Sequence, residues 1–168
     1  MQREEAVTAC LTKEQTRLYR LAYSYVKNEE DALDAMQTAA CHALERQDSL
    51  RDRENPLPWL CRIVVNASLD ILRQRGRTEP LEAWQDPGKD DKFPDDSMTS
   101  RIEALPPEIG TVIRLRYYEE LSLKEISTAT GANLSTVKTR LYTGLKRLRV
   151  MLEGEESYGR KERTHEGI

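Results

Sequence analysis

The 168-residue chain has little of what most chemistry requires. Its only histidines are His42, in a helical pattern, and His165, near the C-terminus. It shows no glycine-rich phosphate loop, no close-set metal-ligand cluster and no nucleophile–base arrangement. Catalysis is therefore not expected, and neither is a cofactor or a metal. Cys10, Cys41 and Cys61 lie 31 and 20 residues apart, which fits no close-set zinc pattern. Their odd number also argues against a disulfide framework. Each reads as a small buried hydrophobe. Aromatics are scarce at 6%, with Phe93 the single phenylalanine. No run approaches the ~18–20 apolar residues of a membrane span. The opening stretch MQREEAVTACLTKEQ lacks the apolar segment of a signal peptide, so the cytoplasm is the expected location. No stretch alternates with period two for long enough to make a strand.

What remains is helical patterning and charge. Hydrophobic residues make up 38% of the chain and charged residues 33%. An apolar pattern over 3–27 carries Leu11, Leu18, Leu21, Ala22, Tyr25 and Val26, and Lys27-Asn28 reads as its stop. A second helix is predicted over 29–47, with acids in its first turn, where the helix dipole favours them. Its stripe is Ala32, Ala35, Met36, Ala39, Ala43 and Leu44. The polar loop QDSLRDREN (47–55) precedes Asn55-Pro56, read as an N-cap followed by proline at the first helical position. Trp59, Leu60, Ile63, Val64, Ala67, Ile71 and Leu72 then mark a third helix, ending at Gly76.

Net charge is only −3, but its distribution is uneven. Residues 138–149 carry Lys138, Arg140, Lys146, Arg147 and Arg149 and no acid, and Arg73, Arg75 and Arg77 form an earlier basic cluster. Between the two, residues 79–96 hold seven acids against two lysines. That stretch is too polar to repay the entropy of ordering and reads as a flexible acidic linker. Trp84 and Phe93 are its apolar exceptions. Helical pattern resumes at Arg101 and pauses at Pro106-Pro107. It continues through Ile109, Val112, Ile113 and Tyr117. The tail after Leu152 is polar and expected to be disordered. The fold class expected is all-α: two small helical domains joined by a flexible acidic linker, the C-terminal one a helix-turn-helix.

The most specific local signal lies in residues 121–149. Ser122 and Glu125 have the spacing of a capping box. Gly131 supplies the positive φ needed to leave a short helix sharply. Asn133 then caps a second helix whose inner face is Val137, Leu141, Leu145 and Leu148. Two helices joined by so short a turn form a helix-turn-helix, the second sized for the major groove. Burying the apolar face turns Ser135, Thr136, Lys138, Thr139, Tyr142 and Thr143 toward DNA. Arg140, Lys146 and Arg147 lie within reach of phosphates.

These residues resemble a known family. EALPPEIGTVIRLRYYEELSLKEISTATGANLSTVKTRLYTGLKRLR is similar to region four of the extracytoplasmic-function sigma factors of bacterial RNA polymerase. It keeps the Arg114–Glu119 stretch RLRYYE, Leu121-Ser122, Glu125-Ile126 and Thr136-Val137-Lys138. It departs at Ser127 and Thr139, where Ala and Ser are usual. The stretch Glu30–Gln37 (EDALDAMQ) resembles the family's region two, and Pro58–Arg73 (PWLCRIVVNASLDILR) resembles the helix that follows it.

The resemblance implies a sigma factor that binds core polymerase and directs initiation at promoters through −10 and −35 elements. It implies region two over 1–77, a linker over 78–100, region four over 101–152 and a polar tail over 153–168. Asp31, Asp34 and Gln37, at i, i+3 and i+6, would grip the clamp helices of the polymerase's largest subunit. Arg62, Asn66, Arg73 and Arg75 would read and hold the melted −10 strand. Ser135, Thr136, Lys138, Thr139, Arg140 and Tyr142 would contact the −35 duplex. The partners implied are core RNA polymerase, promoter DNA and an anti-sigma protein, and the free chain is expected to be a monomer. The competing reading is a stand-alone helix-turn-helix regulator. Such a protein normally dimerises on a palindrome, yet no helix here shows a spare apolar face for a second copy. A purely structural adaptor would leave the capped basic helix unexplained.

Overall fold

The computed structural model describes residues 2–78 and 97–166, with side chains over 2–76 and 98–154. The helices are α1 (Arg3–Lys13), α2 (Gln15–Val26), α3 (Glu29–Glu45), α4 (Leu57–Thr78), α5 (Ser97–Glu103), α6 (Pro107–Tyr117), α7 (Leu123–Thr130) and α8 (Leu134–Glu166). A 3₁₀ turn spans Gln47–Ser49. Among the described residues there is no strand, and no helix is long and apolar enough to cross a membrane. The fold is all-α, with α1–α4 as one bundle and α5–α8 as the other. Trp84 and Phe93 lie outside the described residues.

In the first bundle α3 is lined with alanine: Ala32, Ala35, Ala39 and Ala43 are all buried. Small side chains let α2 and α4 approach closely and place Leu18, Leu21, Leu60 and Val64 in the shared core. Each such leucine contributes about 1.5–3 kcal/mol by leaving water. The pattern over 3–27 resolves into two helices, broken at Glu14, whose N–H still bonds the Cys10 carbonyl at 2.8 Å. Lys27 ends α2 in the left-handed conformation, φ 63°, and the Asn28 side chain caps α3 by accepting from the Asp31 N–H at 2.8 Å.

Several local expectations are corrected. Leu44 is exposed, because four alanines already fill the inner face of α3. Leu50, inside the segment read as a polar loop, is buried against α1, where Arg3 donates to its carbonyl. The first bond of α4 is accepted by the Pro56 carbonyl, one residue later than an Asn55 cap requires. Asn55 instead donates to Glu125 of the other bundle at 2.8 Å. The helix also passes Gly76 and ends at Thr78. Cys61 is buried and Cys10 half-buried, whereas Cys41 is exposed on α3.

In the second bundle α6 crosses α8 at Gly144. A Cβ there would sit 2.8 Å from Ile109 Cγ2 and Ile113 Cδ1, so only glycine permits this approach. Leu145 is half exposed, contrary to its expected inner position, because Gly144 holds the contact with α6. The backbone of α8 is helical to Glu166, through residues expected to be disordered. Glu, Lys and Arg are strong helix formers, and the Arg149–Glu153 pair at 3.0 Å spans one turn of this extension.

Candidate polymerase and nucleic-acid interfaces

The helix-turn-helix is built as its sequence chemistry dictates. Ser122 accepts from the Glu125 N–H at 3.1 Å while the Glu125 carboxylate accepts from the Ser122 N–H at 2.9 Å. The Ser122 backbone N–H, with Asn55 adding, holds Glu125 below the usual carboxylate range. Gly131 closes α7 with φ 78°, a conformation that costs glycine nothing. Asn133 accepts from the Thr136 N–H at 2.8 Å and so caps α8. Val137, Leu141 and Leu148 are buried and fix the rotation of α8.

That rotation places Ser135, Lys138, Thr139 and Tyr142 outward, with Tyr142 67% exposed, and leaves Thr136 half-buried. Lys146 and Arg147 are exposed further along the same helix. Arg140 is directed back toward α6 and pairs with Glu108 at 3.3 Å. Its partner is 76% exposed, and an ion pair so wet holds the guanidinium only weakly.

A second surface lies on the first bundle. Asp34 and Gln37 of α3 line a groove of about 520 Å³ with Cys41, His42, Ile71 and Gln74. Both leading residues are exposed and present acceptors to a solvent-open channel between α3 and α4. Asp31, expected to act with them, is half-buried and engaged elsewhere. It accepts from Asn28 Nδ2 at 3.0 Å and is ion-paired with Arg75. Arg75 also donates to the Val26 carbonyl at 3.2 Å, so this guanidinium staples the ends of α2 and α3 to α4. Sequence spacing shows that three polar residues share a helix; it does not show that one is paired with a cation 44 positions later. Ile71 and Gln74 escape sequence reasoning because they belong to a different helix, and only packing brings them to the groove.

The third surface is a cleft between the bundles. Arg62 and Asn66 of α4 line about 450 Å³ together with Gly131, Ala132 and Arg140 of the helix-turn-helix. Both α4 residues are exposed to this cleft. The Arg62 guanidinium lies over the α7–α8 turn, 3.7 Å from where a Gly131 Cβ would stand. Arg73, by contrast, is exposed and paired with Asp70 one turn away, at 2.9 Å. The side chain of Arg77 is outside those described. Trp59 is half-buried and packs against the core, as its place on the apolar stripe suggests. Among the described residues no group of His, Cys, Asp or Glu is arranged to hold a metal ion. Burial raises the Cys10 thiol to about 11 and pushes Cys61 well above its ordinary range, so neither is a ready thiolate.

Comparison with known proteins agrees with this architecture. Residues 11–78 match the model for sigma-70 region 2, and residues 95–148 match that for sigma-70 region 4. The chain is 36% identical over 154 residues to the RNA polymerase sigma factor SigV of Bacillus subtilis, covering 89% of this chain and 93% of that one. It is 31% identical to the ECF sigma factor SigW of the same organism, over 81% of this chain and 83% of the relative. Among solved structures, CnrH in complex with the cytosolic domain of CnrY shares the fold with a TM-score of 0.67 at 21% identity. It covers 90% of both chains. The sigma factor RpoE of Bartonella quintana, solved with the anti-sigma factor NepR, has the same score and identity over 87% of this chain and 96% of that one.

The chain belongs to the extracytoplasmic-function branch of the sigma-70 family. It is a transcription initiation factor without enzymatic activity of its own, associating with core RNA polymerase and bringing it to promoters.

Proposed function

We propose a division of labour among these surfaces. Residues 1–77 act as region two and residues 101–152 as region four, with 78–100 as the linker and 153–168 as a tail outside both. Asp34 and Gln37 receive a basic helix of the polymerase's largest subunit, the clamp helices, in the α3–α4 groove. Asp31 supports that groove through Arg75 instead of contacting the partner. Arg62 and Asn66 read the melted −10 strand with base-edge donors and acceptors, and Arg73 holds its phosphates. Arg75 acts here by fixing α4. Ser135, Lys138, Thr139 and Tyr142 meet the −35 duplex in the major groove, with Thr136 at its edge. Arg140 turns from Glu108 to a phosphate.

The observation that carries this reading is the seating of α8. Capping at Asn133 and burial of Val137, Leu141 and Leu148 leave one outward face, and that face holds the cation and the hydrogen-bonding groups. The RpoE and CnrH structures, each solved with a bound protein, support an anti-sigma partner for this chain too. In this reading the chain works on polymerase in the cytoplasm and is a monomer when unbound.

The test is co-elution of the purified chain with core RNA polymerase on size exclusion, beside Asp34→Arg. A stoichiometric complex lost in the variant, with helix content unchanged, is the expected result. Absence of a complex with the folded wild-type chain would favour a stand-alone regulator.

A further inference from the structure

The two bundles are held together by a seam whose centre is a carboxylate. Glu119 leaves the end of α6 and enters the first bundle, where its side chain is fully buried. Among the described residues neither carboxylate oxygen has a hydrogen-bond partner. Arg17 of α2 is the cation beside it, with Nε 3.8 Å from Oε2 and a terminal nitrogen bonded to the Glu119 carbonyl. The next residue, Glu120, takes the left-handed conformation at φ 54°, which is uncommon outside glycine and marks a turn held by its surroundings. Around this centre run Tyr25 Oη to Thr111 Oγ1 at 2.5 Å, Arg114 over the Tyr25 ring at 4.0 Å, Asn55 to Glu125, and Lys27 to Glu103 at 2.5 Å.

We propose that Glu119 is the latch of a closed, DNA-shielding state of the free chain, holding the Gly131 turn over Arg62 and Asn66 until the seam opens. The shielding rests on the −10 assignment given above; the closure does not, and it is measured without DNA. A buried carboxylate with no hydrogen bonds is an expensive element unless it does something. Here it stands at the centre of a seam whose other contacts are modest and polar, where its burial and its pairing with Arg17 join the two bundles.

Protonation follows from the same geometry. Burial pushes Glu119 up to about 7, against the pull of Arg17, with Glu14 adding to the rise. The other charged or titratable groups at this junction are the half-buried Cys10 with Lys13 beside it on α1, Cys61 on α4, Glu125 on α7, and Glu120 next to Arg17. In an opened chain Glu119 returns to the ordinary carboxylate range. The closed state therefore binds a proton more tightly than the open one, and closure strengthens as pH falls through neutrality. A pKa near 7 when closed makes the closed-to-open ratio about tenfold larger at pH 6 than at pH 8.

Small-angle scattering of the full chain, free of polymerase, tests the latch with Glu119→Gln, Glu119→Lys and the reciprocal Arg17→Glu/Glu119→Lys. The wild type and Glu119→Gln should be compact, Glu119→Lys expanded with helix content intact, and the reciprocal pair compact again. An expanded wild type would overturn the proposal, as would a Glu119→Lys chain as compact as its parent. Should Glu119→Lys lose helix, Arg17→Glu alone must expand the chain; if it does not, the latch is refuted. In the wild type, the Glu119 carboxyl carbon should titrate near 7 by NMR. A midpoint in the ordinary carboxylate range of ~4.3 would overturn the pH dependence of the latch. If closure holds but Asn66→Ala leaves −10 strand binding to polymerase holoenzyme unchanged, the latch stands and only the strand assignment fails.

Discussion

The basic clusters of the two bundles hold their cations differently. In the first, Arg75 is held by Asp31 and the Val26 carbonyl, and Arg73 pairs with Asp70 on its own helix. In the second, Lys138, Lys146 and Arg147 stand exposed on one helix, and Arg140 leans on a wet carboxylate. Basic clusters that look alike in sequence thus do different physical work. Arg75 ties three helices together, whereas the cations of α8 stay open to solvent.

The largest effect that would sharpen this contrast lies in the second bundle's packing. Gly144→Val forces a branched side chain into the contact with Ile109 and Ile113. It should destabilise by about 1–3 kcal/mol, the usual cost of overpacking, read as a lower midpoint of chemical unfolding. A variant as stable as the wild type would mean that α6 and α8 separate freely.

Next comes Arg75→Ala, which strands Asp31 in a half-buried position. With the pair partly open to water, a loss of about 1–3 kcal/mol is expected. Because Asp31 belongs to α3, polymerase affinity should fall with stability. Asp31→Ala/Arg75→Ala should recover part of the loss, since no charge is then left without its partner. A double variant weaker than the sum of its parts would break the assignment of Arg75 as a staple.

The smallest change is Lys138→Ala, which touches no core residue. Stability should move by under about 0.5 kcal/mol, as for most surface substitutions. Binding to a −35 duplex should weaken, and its dependence on log salt should flatten by about 0.9 for each phosphate that Lys138 neutralises. Equal slopes for variant and wild type would remove Lys138 from the interface.

How much of this is legible in the sequence depends on range. Signals within one turn of helix read true: the Ser122–Glu125 box, Gly131, the Asn133 cap, the alanine stripe of α3 and the sigma-family motifs. Those features are fixed by neighbours three or four residues away. The elements that sequence misplaces depend on distant partners. Asn55 reads as a helix cap but serves Glu125, 70 positions on. The pairing of Asp31 with Arg75, 44 positions on, is invisible in the spacing of Asp31, Asp34 and Gln37. Periodicity assigns Leu145 inward, yet the glycine beside it sets the closest approach of α6. Glu119 lies in plain view within RLRYYE, but nothing local indicates that its carboxylate crosses to the other bundle. The one available signal is that its helix ends there.

The division of labour is tested most directly by footprinting polymerase holoenzyme on one promoter, with Asn66→Ala and Lys138→Ala each replacing the wild-type chain. Lys138→Ala should lose protection only upstream, at −35, and Asn66→Ala should lose only the opened strand around −10. Loss of the same element in both variants, or of the opposite element in each, would contradict the account.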